Sequence, residues 1–250
     1  MLPHLYPQTP LILGHRGASA YAPENTLTAF RRALELGADG FELDVTLSAD
    51  GVPVVILDDT VDRTTDGSGA VARLTLAQLK QLDAGKKFGP EFAGEHLPTL
   101  AEVFAAFRQP AIINVELKLD PSPGRELAAK VVSVIHAHQV ERRVLLSSFY
   151  YGNLQRIKQL DAALPVGLLY SPAEPLRMLR AWLNPGVRAE AHHPYYRLIN
   201  ALTRRGYGAK RVNVWTVNDE ADLRRQVRAR VDGVITDRPD VAVRVRAVMR

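Results

Sequence analysis

Leu13-Gly14-His15-Arg16-Gly17-Ala18 and, some 25 residues later, Phe41-Glu42-Leu43-Asp44-Val45 decide how the chain is read. Each run has the form of a buried strand that delivers chargeable groups at its carboxyl end. In an extended strand residues i and i+2 share a face, so Glu42 and Asp44 point one way while Leu43 and Val45 point the other. Two carboxylates on apolar flanks repel each other and lose water unless a cation lies between them. A hard divalent metal, magnesium or calcium, is the simplest such cation, because it takes oxygen ligands from Asp and Glu. An imidazole, a guanidinium and a carboxylate pair suited to a metal together point to phosphate chemistry.

Outward from these two runs, short apolar strands alternate with amphipathic stretches eight times. Strands are expected at 11–14, 40–46, 111–117, 144–148, 165–169, 187–191, 212–216 and 233–236. Helices are expected near 25–37, 99–108, 124–138, 150–161, 174–183, 195–205, 219–229 and 239–249. Leu27, Phe30 and Leu34 recur at helical spacing, with Gly37 where a C-terminal cap belongs. Strict β-then-α alternation implies a parallel sheet with right-handed crossovers. Eight such units imply an α/β fold of the (β/α)8 TIM-barrel type, with its active site at the carboxyl ends of the strands. A doubly wound open sheet would want a Gly-x-Gly-x-x-Gly turn, and the chain has none.

The segment 47–98 is too long for one crossover. Ser48-Ala49-Asp50-Gly51 before Val52–Leu57 signals a hairpin, and a polar stretch, Asp62 to Gly69, precedes a short helix expected at 75–82. The expectation is one domain over residues 1–250, with a subdomain inserted at about 47–98 on the catalytic face.

The 250 residues contain no cysteine, which excludes disulfides, thiolate zinc sites and cysteine nucleophiles. The net charge of +5 is concentrated in residues 204–250, where twelve Lys/Arg face six Asp/Glu. This arginine-rich end reads as solvated helix faces rather than as a nucleic-acid surface. No run reaches the ~18 apolar residues of a membrane span, and the start is neither basic nor apolar enough for a signal peptide. The expected protein is therefore cytoplasmic, with no nucleic-acid partner and no stable membrane insertion.

Strand three ends Asn114-Val115-Glu116-Leu117-Lys118, which puts Glu116 and Lys118 on one face. Glu116 can complete the metal site, and the Lys118 ammonium can hold a phosphate oxygen. In the seventh strand Asn213, Trp215 and Val217 share a face, and Trp215 can pack on a substrate's carbon skeleton. Phe149, after Ser147-Ser148, is a further pocket candidate. His192-His193 is expected in a loop after strand six, His96 in a structural role, and Pro23-Glu24-Asn25-Thr26 chiefly as a helix start. Gly-x-Ser-x-Gly and His-Glu-x-x-His are both absent, so neither a serine triad nor a zinc protease is supported.

Taken together, these residues resemble the glycerophosphodiester phosphodiesterase family. The likeness runs from His15-Arg16-Gly17-Ala18 through Pro23-Glu24-Asn25-Thr26, Glu42-Leu43-Asp44-Val45, Asp58 to Thr65 and Leu97-Pro98-Thr99-Leu100. It continues through Glu116-Leu117-Lys118, Val214-Trp215-Thr216-Val217-Asn218 and Gly233-Val234-Ile235-Thr236-Asp237. The resemblance implies metal-assisted hydrolysis of glycerophosphodiesters to glycerol 3-phosphate and an alcohol. It implies Glu42, Asp44 and Glu116 as metal ligands, His15 as one of two acid/base histidines, and Arg16 and Lys118 as phosphate contacts. In Val54-Val55-Ile56-Leu57-Asp58-Asp59-Thr60 the second histidine's position holds Leu57. Leucine cannot transfer a proton, so the expected enzyme is slow. The alternatives are a phosphodiester-binding barrel without turnover, or a lipid-headgroup enzyme of the lysophospholipase D kind with its basic helices near a membrane.

Overall fold

Among the described residues, apolar alternation along eight short parallel strands builds a closed barrel. The computed structural model describes residues 3–108, 111–118, 126–173 and 188–249. Eight strands run parallel: β1 (Leu11–Gly14), β2 (Gly40–Leu47), β4 (Ile112–Leu117), β5 (Val144–Ser148), β6 (Val166–Tyr170), β7 (Ala191–Pro194), β8 (Arg211–Val214) and β9 (Gly233–Thr236). The ring closes because β1 pairs with both β2 (Leu13↔Gly40) and β9 (Leu11↔Gly233). The ninth strand, β3 (Pro53–Val55), lies antiparallel on the end of β2, in the hairpin that the Asp50-Gly51 turn predicts.

Strand residues of one parity, among them Leu11, Leu13, Ile112, Leu145, Ala191 and Ile235, form one cluster that fills the barrel. Those of the other parity, such as Phe41, Leu43, Val115 and Leu146, pack outward against helix residues including Phe30, Val103, Val131 and Ile157. Observed helices include Leu27–Glu35, Leu100–Ala106, Glu126–His138, Tyr151–Leu160, Glu220–Arg228 and Pro239–Val248. Their starts follow their caps: Thr26 accepts from Ala29 N–H at 3.2 Å, and Thr99 and Glu102 form a capping box. The inserted stretch has an apolar cluster of its own, Val54, Ile56, Val61, Val71, Leu79, Ala84 and Leu97. It includes the short helix Leu76–Leu79, capped by Thr75. The helix expected at 174–183 lies outside the described residues. No helix of the described residues is long and apolar enough to cross a membrane.

Three expectations need correction. The strand expected at 187–191 begins only at Ala191. Before it, Glu190 is held by Lys158 Nζ (2.6 Å) and Val166 N–H (2.9 Å), and histidines in the strand itself hid its apolar period. His192-His193 is therefore strand, not loop. Trp215 and Val217 do not share a face: β8 ends at Val214, alternation stops there, and Val217 joins the outer cluster while Trp215 packs on the inner one. The arginine-rich end is not wholly solvated either. Arg246 is only 6 % exposed, bound to Asp39 and, at 3.0 Å, to the Pro10 carbonyl.

The two strand histidines part company. His193 points into the barrel, where Asn213 Nδ2 donates to its Nε2 (3.1 Å) and to Tyr6 Oη (2.8 Å). A Cβ on the neighbouring Gly167 would lie 2.5 Å from that ring, so only glycine fits there. His192 points outward between Tyr170 and Tyr207, and both its ring nitrogens are buried without a partner among the described residues. Burial pushes His192 down to about 4 and His193 down to about 3. Both folded values lie below the ordinary ~6.5, so as pH falls the unfolded chain takes up protons first. Their contribution to stability is whole above ~6.5 and is lost as pH drops through the folded values. His192→Phe keeps the aromatic contacts and removes one titrating group. The expected gain is about 1–2 kcal/mol at pH 5 and much less at pH 8, by urea unfolding. Equal gains at both pH values would contradict this.

Candidate active site

The end of β1 begins the site. His15 N–H donates to Thr236 O at 2.8 Å, after which the chain turns through Arg16 (φ 54°) and Gly17 (φ 85°). A Cβ at Gly17 would lie 2.5 Å from the Ala29 backbone, so helix 27–35 reaches the turn only because residue 17 is glycine. Two ordinary residues, Arg16 and Asn25, hold left-handed φ here, a strain that surrounding bonds sustain. Arg16 N–H donates to Glu42 Oε2 (3.0 Å), and Asn25 N–H to Arg16 O (3.0 Å).

Parallel register sets Asp44 beside Glu116, and Glu42 one step deeper beside Asn114. One oxygen from each of Glu42, Asp44 and Glu116 lies within 4.8 Å of the other two. Glu42 is 3 % and Asp44 1 % exposed, and the Glu116 side chain is 12 % exposed. Two cations face them. Lys118 Nζ donates to Glu116 Oε1 (2.7 Å) and lies 3.3 Å from Asp44 Oδ1. Arg16 Nε lies 3.1 Å from Asp44 Oδ2, while its Nη1 donates to Glu24 Oε1 at 3.1 Å. Asn25 Nδ2 also donates to Asp44 Oδ2, at 3.0 Å.

These surroundings divide the carboxylates. Burial, then the charges of Asp44 and Glu116, raises Glu42 well above the usual carboxylate range. Burial and Asp44 also raise Glu116, against the pull of Lys118. Burial pushes Asp44 up, but Lys118, Arg16 and Asn25 outweigh it and leave Asp44 lowered. Burial opposes the Lys118 charge, yet Asp44 and Glu116 hold its ammonium above the ordinary value. Glu42 Oε1 is buried and has no hydrogen-bond partner among the described residues. An all-oxygen set of three carboxylates with one orphaned oxygen fits a hard divalent cation.

Across the mouth, His15 Nδ1–H donates to Asp237 Oδ1 at 2.6 Å, leaving Nε2 for a substrate. Asp237 also accepts from Ser19 Oγ (2.9 Å) and from Asn218 Nδ2, and these bonds outweigh burial to keep it lowered. Trp215 stands half-buried on the inner side, its indole N–H on His193 O at 2.7 Å, edge-on to Phe149 at 5.4 Å. His96 sits away from the site, with Nδ1 3.2 Å from the Leu82 carbonyl oxygen.

Residue 57 follows Ile56, whose N–H donates to Asp44 O at 3.0 Å, and is half-buried. The next residue, Asp58, accepts from Arg63 Nε at 2.6 Å. Arg63 in turn grips Glu24 with both terminal nitrogens, at 2.7 and 2.8 Å.

His15, Arg16, Glu42, Asp44, Glu116 and Lys118 thus converge, while Trp215, just past the end of β8, packs on the barrel's inner cluster and on Phe149. Sequence reasoning missed the parts played by Asp237, Glu24, Asn25 and Arg63. Asp237 carried a signal, an acid directly after the eighth parallel strand. Pro23-Glu24-Asn25-Thr26 has the form of a helix start, and Thr26 does cap the helix, but Glu24 and Asn25 turn toward the site.

Known proteins resemble this chain over nearly its whole length. Residues 15–241 match the model of the glycerophosphoryl diester phosphodiesterase family. A glycerophosphodiester phosphodiesterase of Caldanaerobacter subterraneus is 43 % identical, over 93 % of this chain and 96 % of its own. A phosphodiesterase of Oleispira antarctica, solved in complex with the product sn-glycerol-3-phosphate, superposes with a TM-score of 0.85 at 32 % identity, over 95 % of this chain and 97 % of its own. The Thermotoga maritima glycerophosphodiester phosphodiesterase gives 0.74 at 29 % identity, over 96 % and 99 %. On its closed barrel, its strand-end acids and these matches, the chain belongs to the glycerophosphoryl diester phosphodiesterase family.

Proposed function

We propose that this protein is a metal-dependent phosphodiesterase that cleaves glycerophosphodiesters to glycerol 3-phosphate and an alcohol, slowly because Leu57 stands where an acid/base histidine is expected. Its single barrel domain spans residues 1–250, and the subdomain inserted at about 47–98 covers the catalytic face. The observation that carries the function is the convergence of three carboxylate oxygens within 4.8 Å beside Arg16 and Lys118. Glu42, Asp44 and Glu116 would hold a magnesium or calcium ion, which supplies Lewis-acid stabilisation of charge on the phosphate oxygens. Arg16 and Lys118 neutralise the remaining phosphate charge as it builds in the transition state. Asp237 fixes the His15 proton on Nδ1, so Nε2 acts as base toward the attacking oxygen, either water or the substrate's own 2-hydroxyl. Trp215 and Phe149 pack on the substrate's carbon skeleton.

The direct test is turnover of glycerophosphocholine by purified protein with Mg2+ or Ca2+, expected to be slow and abolished by EDTA. Activity that survives complete chelation would overturn the metal assignment. Lys118→Met is expected to weaken substrate binding and lower kcat by about 10²-fold, the scale for losing one preorganised donor. Metal affinity, measured by calorimetry, should stay similar or rise, since Glu116 and Asp44 lose a competing cation. Normal turnover in this variant would reassign Lys118 to a structural pair. A second reading, a phosphodiester-binding barrel without turnover, is favoured by one observation, Leu57 itself.

A further inference from the structure

The chain of ion pairs from the insertion to the metal-site carboxylates is continuous. Asp58 Oδ2 accepts from Arg63 Nε at 2.6 Å, and Arg63 forks onto both oxygens of Glu24 at 2.7 and 2.8 Å. Glu24 Oε1 is shared with Arg16 Nη1 at 3.1 Å, and Arg16 Nε faces Asp44 at 3.1 Å. Arg63 stands on a well-tied loop, in which Thr65 Oγ1 donates to Val61 O (2.8 Å) and Val61 N–H to Gly69 O (3.0 Å). Its neighbours Val61 and Val71 are buried in the insertion's own cluster. Three donors spent on two carboxylates in one geometry are more than an exposed ion pair needs.

What Arg63 does follows from what Glu24 would do without it. A carboxylate and a guanidinium prefer a bidentate fork. With Arg63 in place, Glu24 gives its fork to Arg63 and only one shared oxygen to Arg16. Without Arg63, Glu24 is free to turn both oxygens onto Arg16 and neutralise the guanidinium that a phosphate would meet.

We infer that Arg63 is a positioning residue, which holds Glu24 off Arg16 and so keeps the Arg16 guanidinium available for the substrate's phosphate. The inference rests on the proposed phosphodiester reading of the site. By it, the insertion tunes substrate binding as well as covering the barrel mouth. Burial pushes Glu24 up, but its bonds to Arg63 and Arg16 outweigh this and hold it below the usual carboxylate range, so it remains a charged competitor.

Four proteins test this in the presence of Mg2+: the parent, Arg63→Met, Glu24→Gln and the double variant. The readouts are the Kd for sn-glycerol 3-phosphate by calorimetry, and KM and kcat for glycerophosphocholine, with thermal unfolding as a check on folding. Arg63→Met should raise Kd and KM about tenfold, the scale of one lost charge-assisted contact, and lower kcat as well, because the neutralised Arg16 also serves the transition state. Glu24→Gln should bind at least as tightly as the parent. The double variant should recover to within about threefold of the parent, because an amide does not compete for Arg16 as a carboxylate does. A merely structural Arg63 predicts the opposite, a double variant as weak as Arg63→Met or weaker, and that result overturns the inference. Parent-like binding by Arg63→Met, or Glu24→Gln binding tenfold worse, overturns it equally. A parent that binds no sn-glycerol 3-phosphate overturns the functional reading and this inference with it, whereas a binding parent with an unaffected Arg63→Met overturns the inference alone.

Discussion

Leu57→His is expected to raise the rate on glycerophosphocholine by about 10²–10⁴-fold and to change the rate on a nitrophenyl diester little. An alkoxide is a poor leaving group, so expelling it needs a proton delivered in the transition state. A positioned general acid contributes about 10²–10⁴-fold, or roughly 3–5 kcal/mol. A nitrophenolate leaves without protonation, so the aryl diester does not register the missing acid. The expected gain supposes that the groups nearest in sequence or chemistry do not supply that proton. Asp58 is tied to Arg63 at 2.6 Å, and His193, sealed inside the barrel and pushed down to about 3, is a neutral imidazole at neutral pH and not an imidazolium acid. Residue 57 has the right station: it follows Ile56, whose N–H is bonded to the Asp44 carbonyl, and its side chain is half-buried rather than part of a core. Two results would count against this account. One is parent turnover of glycerophosphocholine already as fast as the aryl diester. The other is no gain from Leu57→His while metal binding is retained.

The barrel was legible because its physics is local. The spans 11–14, 144–148 and 233–236 were assigned to the residue, since each is a short apolar run bounded by turn residues. The convergence of the three acids was legible for the same reason: Glu42 and Asp44 are an i, i+2 carboxylate pair in an apolar strand, and Glu116 repeats the pattern on the adjoining strand. β7 was misplaced because its own sequence, Ala191-His192-His193-Pro194, lacks the apolar alternation used to find strands. The pairings that finish the site were illegible because they depend on closure. His15 and Asp237 are 222 residues apart and meet only where β1 joins β9. Arg63 and Glu24, separated by 39 residues, meet only once the insertion folds back over the end of β1.

Glu42→Gln should cost the protein its metal and leave it more stable without one. As a proposed ligand in direct contact, Glu42 should matter more than an outer-shell partner, whose loss typically costs roughly 10–100-fold in affinity. Metal affinity by calorimetry is therefore expected to fall by more than that, and the rise in Tm on adding Mg2+ or Ca2+ to vanish. The glutamine keeps an oxygen for the Arg16 N–H that Glu42 Oε2 now accepts at 3.0 Å, and its amide donates to the neighbouring carboxylates. Without metal the variant should gain roughly 1–3 kcal/mol, the scale for relieving one unsatisfied buried polar group. The gain depends on pH, with a sign fixed by the shifts. Glu42 and Glu116 are raised on folding, so their contribution is whole below the ordinary ~4.3 and is lost as pH climbs through the higher folded values. Asp44 is lowered, so its contribution is present above ~3.9 and is lost only in acid. The metal-free parent should therefore lose stability from mildly acidic to alkaline pH, and Glu42→Gln should flatten that slope. Thermal scans at pH 5 and pH 8, with and without metal, separate the cases. If the variant shows the parent's metal-induced rise in Tm, Glu42 is not a ligand. If its metal-free slope also matches the parent's, the three carboxylates do not share one unpaired charge, and the cation site must be sought elsewhere on the barrel's mouth.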